Sequence, residues 1–142
     1  MDDVDALAEQ LRANASRLVR SSARPGTLPP GESAVLASLD RDGPLSIARL
    51  AEERGVRHQT AAKIVAQLEA EGLVAKRSHP DDARMVLVRI TRTGSTALRR
   101  DRKARAAWLA DAIREQLNAK QQARLSELAT VLEALASYAP DA

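Results

Sequence analysis

The sequence predicts a mainly α-helical fold carrying one small β-hairpin. Three observations predict it. Apolar residues recur at helical spacing along most of the chain, the period drops to two only between residues 73 and 90, and Gly, Pro and Ser gather where one pattern gives way to the next. A chain of 142 residues, 44% hydrophobic and 29% charged, has the size and composition of one globular domain, expected to span residues 1–142.

Each element follows from local sequence. In residues 4–20, Val4, Leu7, Leu11, Ala15 and Leu18 share one side of a helix that must find an apolar partner. The stretch 21–30, SSARPGTLPP, breaks it as a linker. Pro30 suits the first turn of a helix carrying Val35, Leu36 and Leu39, which stops at Asp42-Gly43-Pro44. Ser46 is placed to cap the next helix, with Ile47, Leu50 and Ala51 on one face. At its end Gly55 is free to adopt the left-handed conformation, so that Val56 packs back on Ala51. A helix over 58–71 follows at once, apolar at Ala61, Ile64, Val65 and Leu68, and ends at Gly72 by the same device, with Leu73 on Leu68. Two helices joined by so tight a turn form a helix-turn-helix candidate.

Residues 73–78 and 85–90 then read as strands. Val86, Val88 and Ile90 point one way and Leu87 and Arg89 the other, with His79-Pro80-Asp81-Asp82-Ala83 as the turn. Thr91 is placed to cap a long helix running to about residue 117, with Leu98, Leu109, Ile113 and Leu117 on one stripe. Another spans about 119–136, with Leu125, Leu128, Leu132 and Leu135. The order describes a winged helix-turn-helix lobe at residues 30–91, framed by an N-terminal helix (1–22) and C-terminal helices (92–142). The arms are apolar on one face only, so burial against the same arms of a second chain, as a two-fold homodimer, is the expectation.

Charge and composition narrow the partner. Residues 57–105 hold 12 basic and 5 acidic side chains, whereas the segments on either side are each net negative. Eighteen of the 22 basic residues are Arg, whose planar fork suits phosphates and base edges. One Trp, one Tyr and no Phe leave no stacking platform for single strands, which points to duplex DNA. The absence of Cys excludes disulfides, thiolate metal sites and a Cys nucleophile. There is no phosphate-cradling Gly loop and no Gly-x-Ser-x-Gly, and His58 and His79 lack a third ligand in register, so no enzyme activity, metal or cofactor is expected. An acidic N-terminus and the lack of an apolar run of membrane length predict no membrane association and a cytoplasmic location.

The run from Val56 to Val74, with its Val...Thr...Leu-Glu...Gly-Leu-Val pattern, together with the Asp-x-Arg...Val-x-Val-x-Ile-Thr pattern from Asp82 to Thr91, resembles the multiple antibiotic resistance regulator (MarR) family. The resemblance implies a homodimeric transcriptional regulator on a pseudo-palindromic operator, usually repressing, and often released by a small anionic or aromatic effector. No ligand-binding residues are assigned for such an effector. With the apolar face of the 58–71 helix buried, Gln59, Lys63 and Gln67 are presented to a major groove, Ala66 and Ala70 allow close approach, and Arg57, His58 and Thr60 stand at the phosphate-attracting helix start. In the family's wing the arginine matched by Arg84 enters the minor groove and the aspartate matched by Asp82 orients it. Arg77, Arg89 and Lys76 read as phosphate contacts, which set affinity rather than sequence. The run Arg99, Arg100, Arg102, Lys103 and Arg105 reads as a solvated helix face. Two positions depart from the family: Arg57 stands where a capping Ser or Thr is common, and Ser33 where an aromatic often lines the effector cleft, leaving Trp108, itself expected in the core, as the sole candidate ring. The alternative function is a protein-interaction or architectural DNA-binding module of low sequence specificity.

Overall fold

The computed structural model describes residues 2–140. Its elements are α1 (Asp3–Ser21), α2 (Pro30–Asp42), α3 (Ile47–Arg54), α4 (His58–Ala70), β1 (Val74–Ser78), β2 (Val86–Ile90), α5 (Arg92–Gln116) and α6 (Ala119–Ala136). Two compact units result, one through Arg105 and one from Ala106. Among the described residues no helix is long and apolar enough to cross a membrane.

The core of the first unit is aliphatic. Val35, Leu36 and Leu39 of α2 meet Leu50 of α3, Val65 and Leu68 of α4, then Leu73, Val74, Val88 and Leu98, all buried. Both Gly turns form as expected. Gly55 has φ 62° and lets the Val56 amide bond the Ala51 carbonyl at 3.0 Å, and Gly72, with φ 74°, lets the Leu73 amide bond Leu68 at 2.9 Å. That second bond spends Leu73 on the helix end, so β1 begins one residue later than the alternation suggests. The Met85 amide likewise goes to Asp82 at 3.0 Å, leaving β2 to begin at Val86.

β1 and β2 pair antiparallel from Val74↔Ile90 to Ser78↔Val86. Leu45, between α2 and α3, exchanges two backbone bonds with Val88, at 2.7 and 3.0 Å, and stitches the hairpin to the lobe. Thr91 caps α5: its Oγ1 accepts from Gly94 N–H at 3.0 Å and donates to the Gly72 carbonyl at 2.7 Å. Gly94 sits so close that a Cβ there would lie 2.0 Å from the Leu73 carbonyl oxygen.

The part of α5 that belongs to the first unit corrects the expectation for the basic run it carries. Arg105 does not belong to a solvated face. Its side chain is only 17% exposed and pairs at 3.1 Å with Asp101, which is 2% exposed. Asp101 accepts in addition from the Leu28 amide at 2.8 Å and the Ser33 hydroxyl at 3.0 Å. Arg105 donates onward to the Leu28 carbonyl at 2.9 Å, the Ser22 hydroxyl at 3.0 Å and the Val19 carbonyl at 3.4 Å. A charged pair removed from water is expected only where its polar atoms find partners, and among the described residues no buried side-chain nitrogen or oxygen lacks one.

The end helices differ from this core. α1 opens on an Asp2–Asp5 capping box and α6 on an Asn118–Gln121 one, yet neither buries a residue. Val4, Leu7, Leu11 and Leu18 of α1, and Leu128, Val131, Leu132 and Leu135 of α6, are exposed. Trp108, expected in the core, is half-buried.

Candidate nucleic-acid interface

The helix α4 is polar on one side because its other side is spent on the core: Ala61, Val65 and Leu68 are buried, while Gln59, Lys63, Ala66, Gln67 and Ala70 are exposed. Arg57, His58 and Thr60 are exposed at its N-terminal end. Arg57 occupies the N-cap with extended backbone and no side-chain cap bond, so the first-turn amides retain donor capacity for an anion. The departure from a Ser or Thr cap therefore places a cation where a short hydroxyl would have closed the helix end.

Arg77 pairs with Leu87 and Ala75 with Arg89 in the ladder. Alternation puts Arg77 and Arg89 diagonally on the same face of the hairpin, both exposed. At the tip the Asp82 carboxylate accepts from the Arg84 amide at 3.0 Å, an Asx-type turn that fixes the backbone, while its Oδ1 lies 3.9 Å from Arg84 Nε. The Arg84 side chain is 97% exposed. Asp82 thus shapes the turn that projects Arg84. Lys76 is held by Glu69 of α4 at 3.7 Å.

Two acidic residues beside the reading face escaped the sequence reasoning. Glu71 accepts from the Gln67 side-chain amide at 2.7 Å, one helical turn on, a partnership that i,i+4 spacing signals once the helix is placed. Glu32, in the first turn of α2, lines a cavity of about 260 Å³ with Pro29, Gly31, Lys63, Ile64 and Gln67. Partial burial, and secondarily the Glu71 carboxylate, raise the Glu32 carboxyl above its ordinary pKa. No spacing rule links residue 32 to residues 63 and 71; only the packing of α2 on α4 does. Among the described residues no cluster of three or more His, Asp or Glu is placed to hold a metal ion.

The arrangement suits a rod of negative charge with readable edges: a helix with an uncapped positive start, polar side chains along its outward face, and a basic ribbon ending in a projecting, solvent-exposed arginine. Comparison with known proteins agrees. A sequence model of the MarR family matches residues 27–85. An uncharacterized HTH-type transcriptional regulator of Mycobacterium bovis is 30% identical over 105 residues, 74% of this chain and 73% of that protein. A crystal structure of a Pseudomonas aeruginosa protein assigned as a transcriptional regulator superposes with TM-score 0.79 at 26% identity, covering 98% of this chain and 100% of the other. The apo form of MarR from E. coli superposes with TM-score 0.73 at 20% identity, over 93% and 98% of the two chains, a likeness of fold.

Proposed function

Because the chain belongs to the MarR family of transcriptional regulators, we propose that it acts as a homodimer that binds a pseudo-palindromic duplex operator sequence-specifically and represses transcription from it. The observation that carries this reading is the coincidence, on one lobe, of the exposed polar face of α4 with the projecting Arg84 wing, inside the most basic stretch of the chain.

In the proposed complex α4 lies in a major groove. Gln59, Lys63 and Gln67 face base edges and phosphates, and Arg57, His58 and Thr60 approach the backbone at the helix start. Each good bidentate base contact contributes about 1–3 kcal/mol of discrimination. Gln67 enters with one N–H of its amide already donating to Glu71, which leaves its oxygen and its second N–H for a base edge. Arg84 enters the neighbouring minor groove, where a narrow A·T tract concentrates negative potential, and Arg77 and Arg89 hold phosphates. The exposed apolar stripes of α1 and α6 support pairing of two chains, which sets two α4 helices one duplex turn apart. Release by a small anionic or aromatic effector is part of the proposal. Ser33 has no ring to offer such a ligand, and its hydroxyl donates to Asp101.

The test is recovery of bound genomic DNA followed by titration of the recovered fragment and a shuffled one at several salt concentrations. A spaced inverted repeat with a steep salt slope supports the reading. Equal affinity for the shuffled fragment overturns specific regulation in favour of an architectural role.

A further inference from the structure

We propose that the buried Asp101–Arg105 pair is the joint that fixes the N-terminal arm on the winged lobe and thereby sets which half-site separation the dimer accepts; this rests on the dimeric operator reading above. The pair lies where three segments of the first unit meet α5. Arg105 grips the last turn of α1 through the Val19 carbonyl and the Ser22 hydroxyl, and both ends of the Leu28 peptide are held, the amide by Asp101 and the carbonyl by Arg105. Ser33, in the first turn of α2, donates to the other carboxylate oxygen. Ser22, itself buried, also donates to the Val19 carbonyl at 2.7 Å.

Packing alone does not hold α1 at a defined angle, because none of its residues is buried. The linker between Ser22 and Pro29 contributes only the half-buried Thr27 and Leu28 beside Ser22. Geometry must come from directed bonds, and a guanidinium fork with its carboxylate supplies them in fixed directions. A buried ion pair is in general a poor source of stability compared with apolar side chains of the same volume, so specifying an orientation is the role it fills best. Leverage makes that orientation matter. A helix of 19 residues is about 28 Å long, so a tilt of about 10° at its foot moves the far end by about 5 Å, more than the rise of one base pair. Arg105 and Asp101 are therefore positioning residues that touch no DNA.

The experiment compares full-length wild type, Arg105→Lys, and a Ser22→Ala/Ser33→Ala double variant on inverted repeats whose spacer is shortened or lengthened in single base-pair steps. Binding to one half-site, sedimentation and thermal unfolding are measured in parallel. Wild type is expected to lose about tenfold in affinity for a mis-spaced site. Arg105→Lys keeps the charge without the fork, and should remain dimeric and bind one half-site normally while its spacing penalty shrinks to about two- to threefold. The double variant should shift the same way by less. A spacing penalty equal to wild type's in Arg105→Lys, with only the melting temperature lowered, would overturn the joint and leave a packing role. If Arg105→Lys does not fold, the double variant decides: a reduced penalty supports the joint and an unchanged one overturns it. A wild-type protein indifferent to spacing would overturn the operator reading itself, and the joint with it.

Discussion

Leu36 and Leu68 of the winged lobe are wholly buried, whereas Leu7 of α1 and Leu135 of α6 keep 62% and 55% of their surfaces in solvent. The two regions draw on the same residue types and the same helical periodicity, and they differ in where the periodic face finds a partner. In the lobe, α2, α3 and α4 are short and joined by tight turns, so their apolar faces converge on one another and on Val88. The end helices are single long elements, each capped and each one-sided, and one copy of the chain leaves their stripes wet. Burying such a leucine is worth about 1.5–3 kcal/mol, a gain that the lobe has already realised and the arms have not.

The strongest way to break this contrast is in the lobe. Leu68→Ala should cost about 2–5 kcal/mol in a denaturant titration, at every protein concentration, because its cavity lies within one chain. A cost that vanished at high concentration would mean that the lobe too depends on a second copy. Leu132→Ser on α6 is expected to weaken self-association by about 1.5–3 kcal/mol per leucine covered, read by sedimentation, with the lobe's helical signal retained. An unchanged association constant would remove that stripe from the interface.

Substitutions on the reading surface should leave both regions intact and alter only the interaction with duplex. Arg84→Ala is expected to cost about 1–2 kcal/mol in affinity, concentrated on sites flanked by A·T tracts, without moving the melting temperature, since its pair with Asp82 is exposed. Lys63→Ala should lower affinity and reduce the log–log salt slope by about one, again with no thermal shift; a large shift would make Lys63 structural. The smallest effect is electrostatic. The Glu32 carboxyl protonates more readily in the folded lobe than in the unfolded chain, so its ionised form opposes folding near neutral pH, and the penalty fades as pH falls through the raised pKa. Glu32→Gln should therefore raise the melting temperature slightly at neutral pH, and the gain should disappear in acid.

Much of this architecture was legible because it rests on local rules. Gly55, Gly72, Ser46 and Thr91 act on residues within a few positions of themselves, and the exposed side of α4 follows once Ala61, Val65 and Leu68 are assigned to the core. The features that escaped are set by tertiary contact. Arg105 follows Arg102 and Lys103 in one basic run and looks like any solvated cation, yet it is withdrawn to Asp101, and the partners that make this tolerable lie at residues 19, 22, 28 and 33. Glu32 and Glu71 likewise meet only because α2 packs on α4. Strand bounds slipped by one residue at Leu73 and Met85 for a similar reason, since each amide is claimed by a turn that alternation does not register.

The central claim is that two chains, joined through helices that are incomplete alone, present two reading helices to one duplex. It is tested most directly by sedimentation of the protein with its recovered operator and with a fragment carrying a single half-site. Two chains per operator, bound cooperatively and far more tightly than to the half-site, is the predicted result; one chain per half-site, binding each independently and sedimenting alone as a monomer at micromolar concentration, would contradict it.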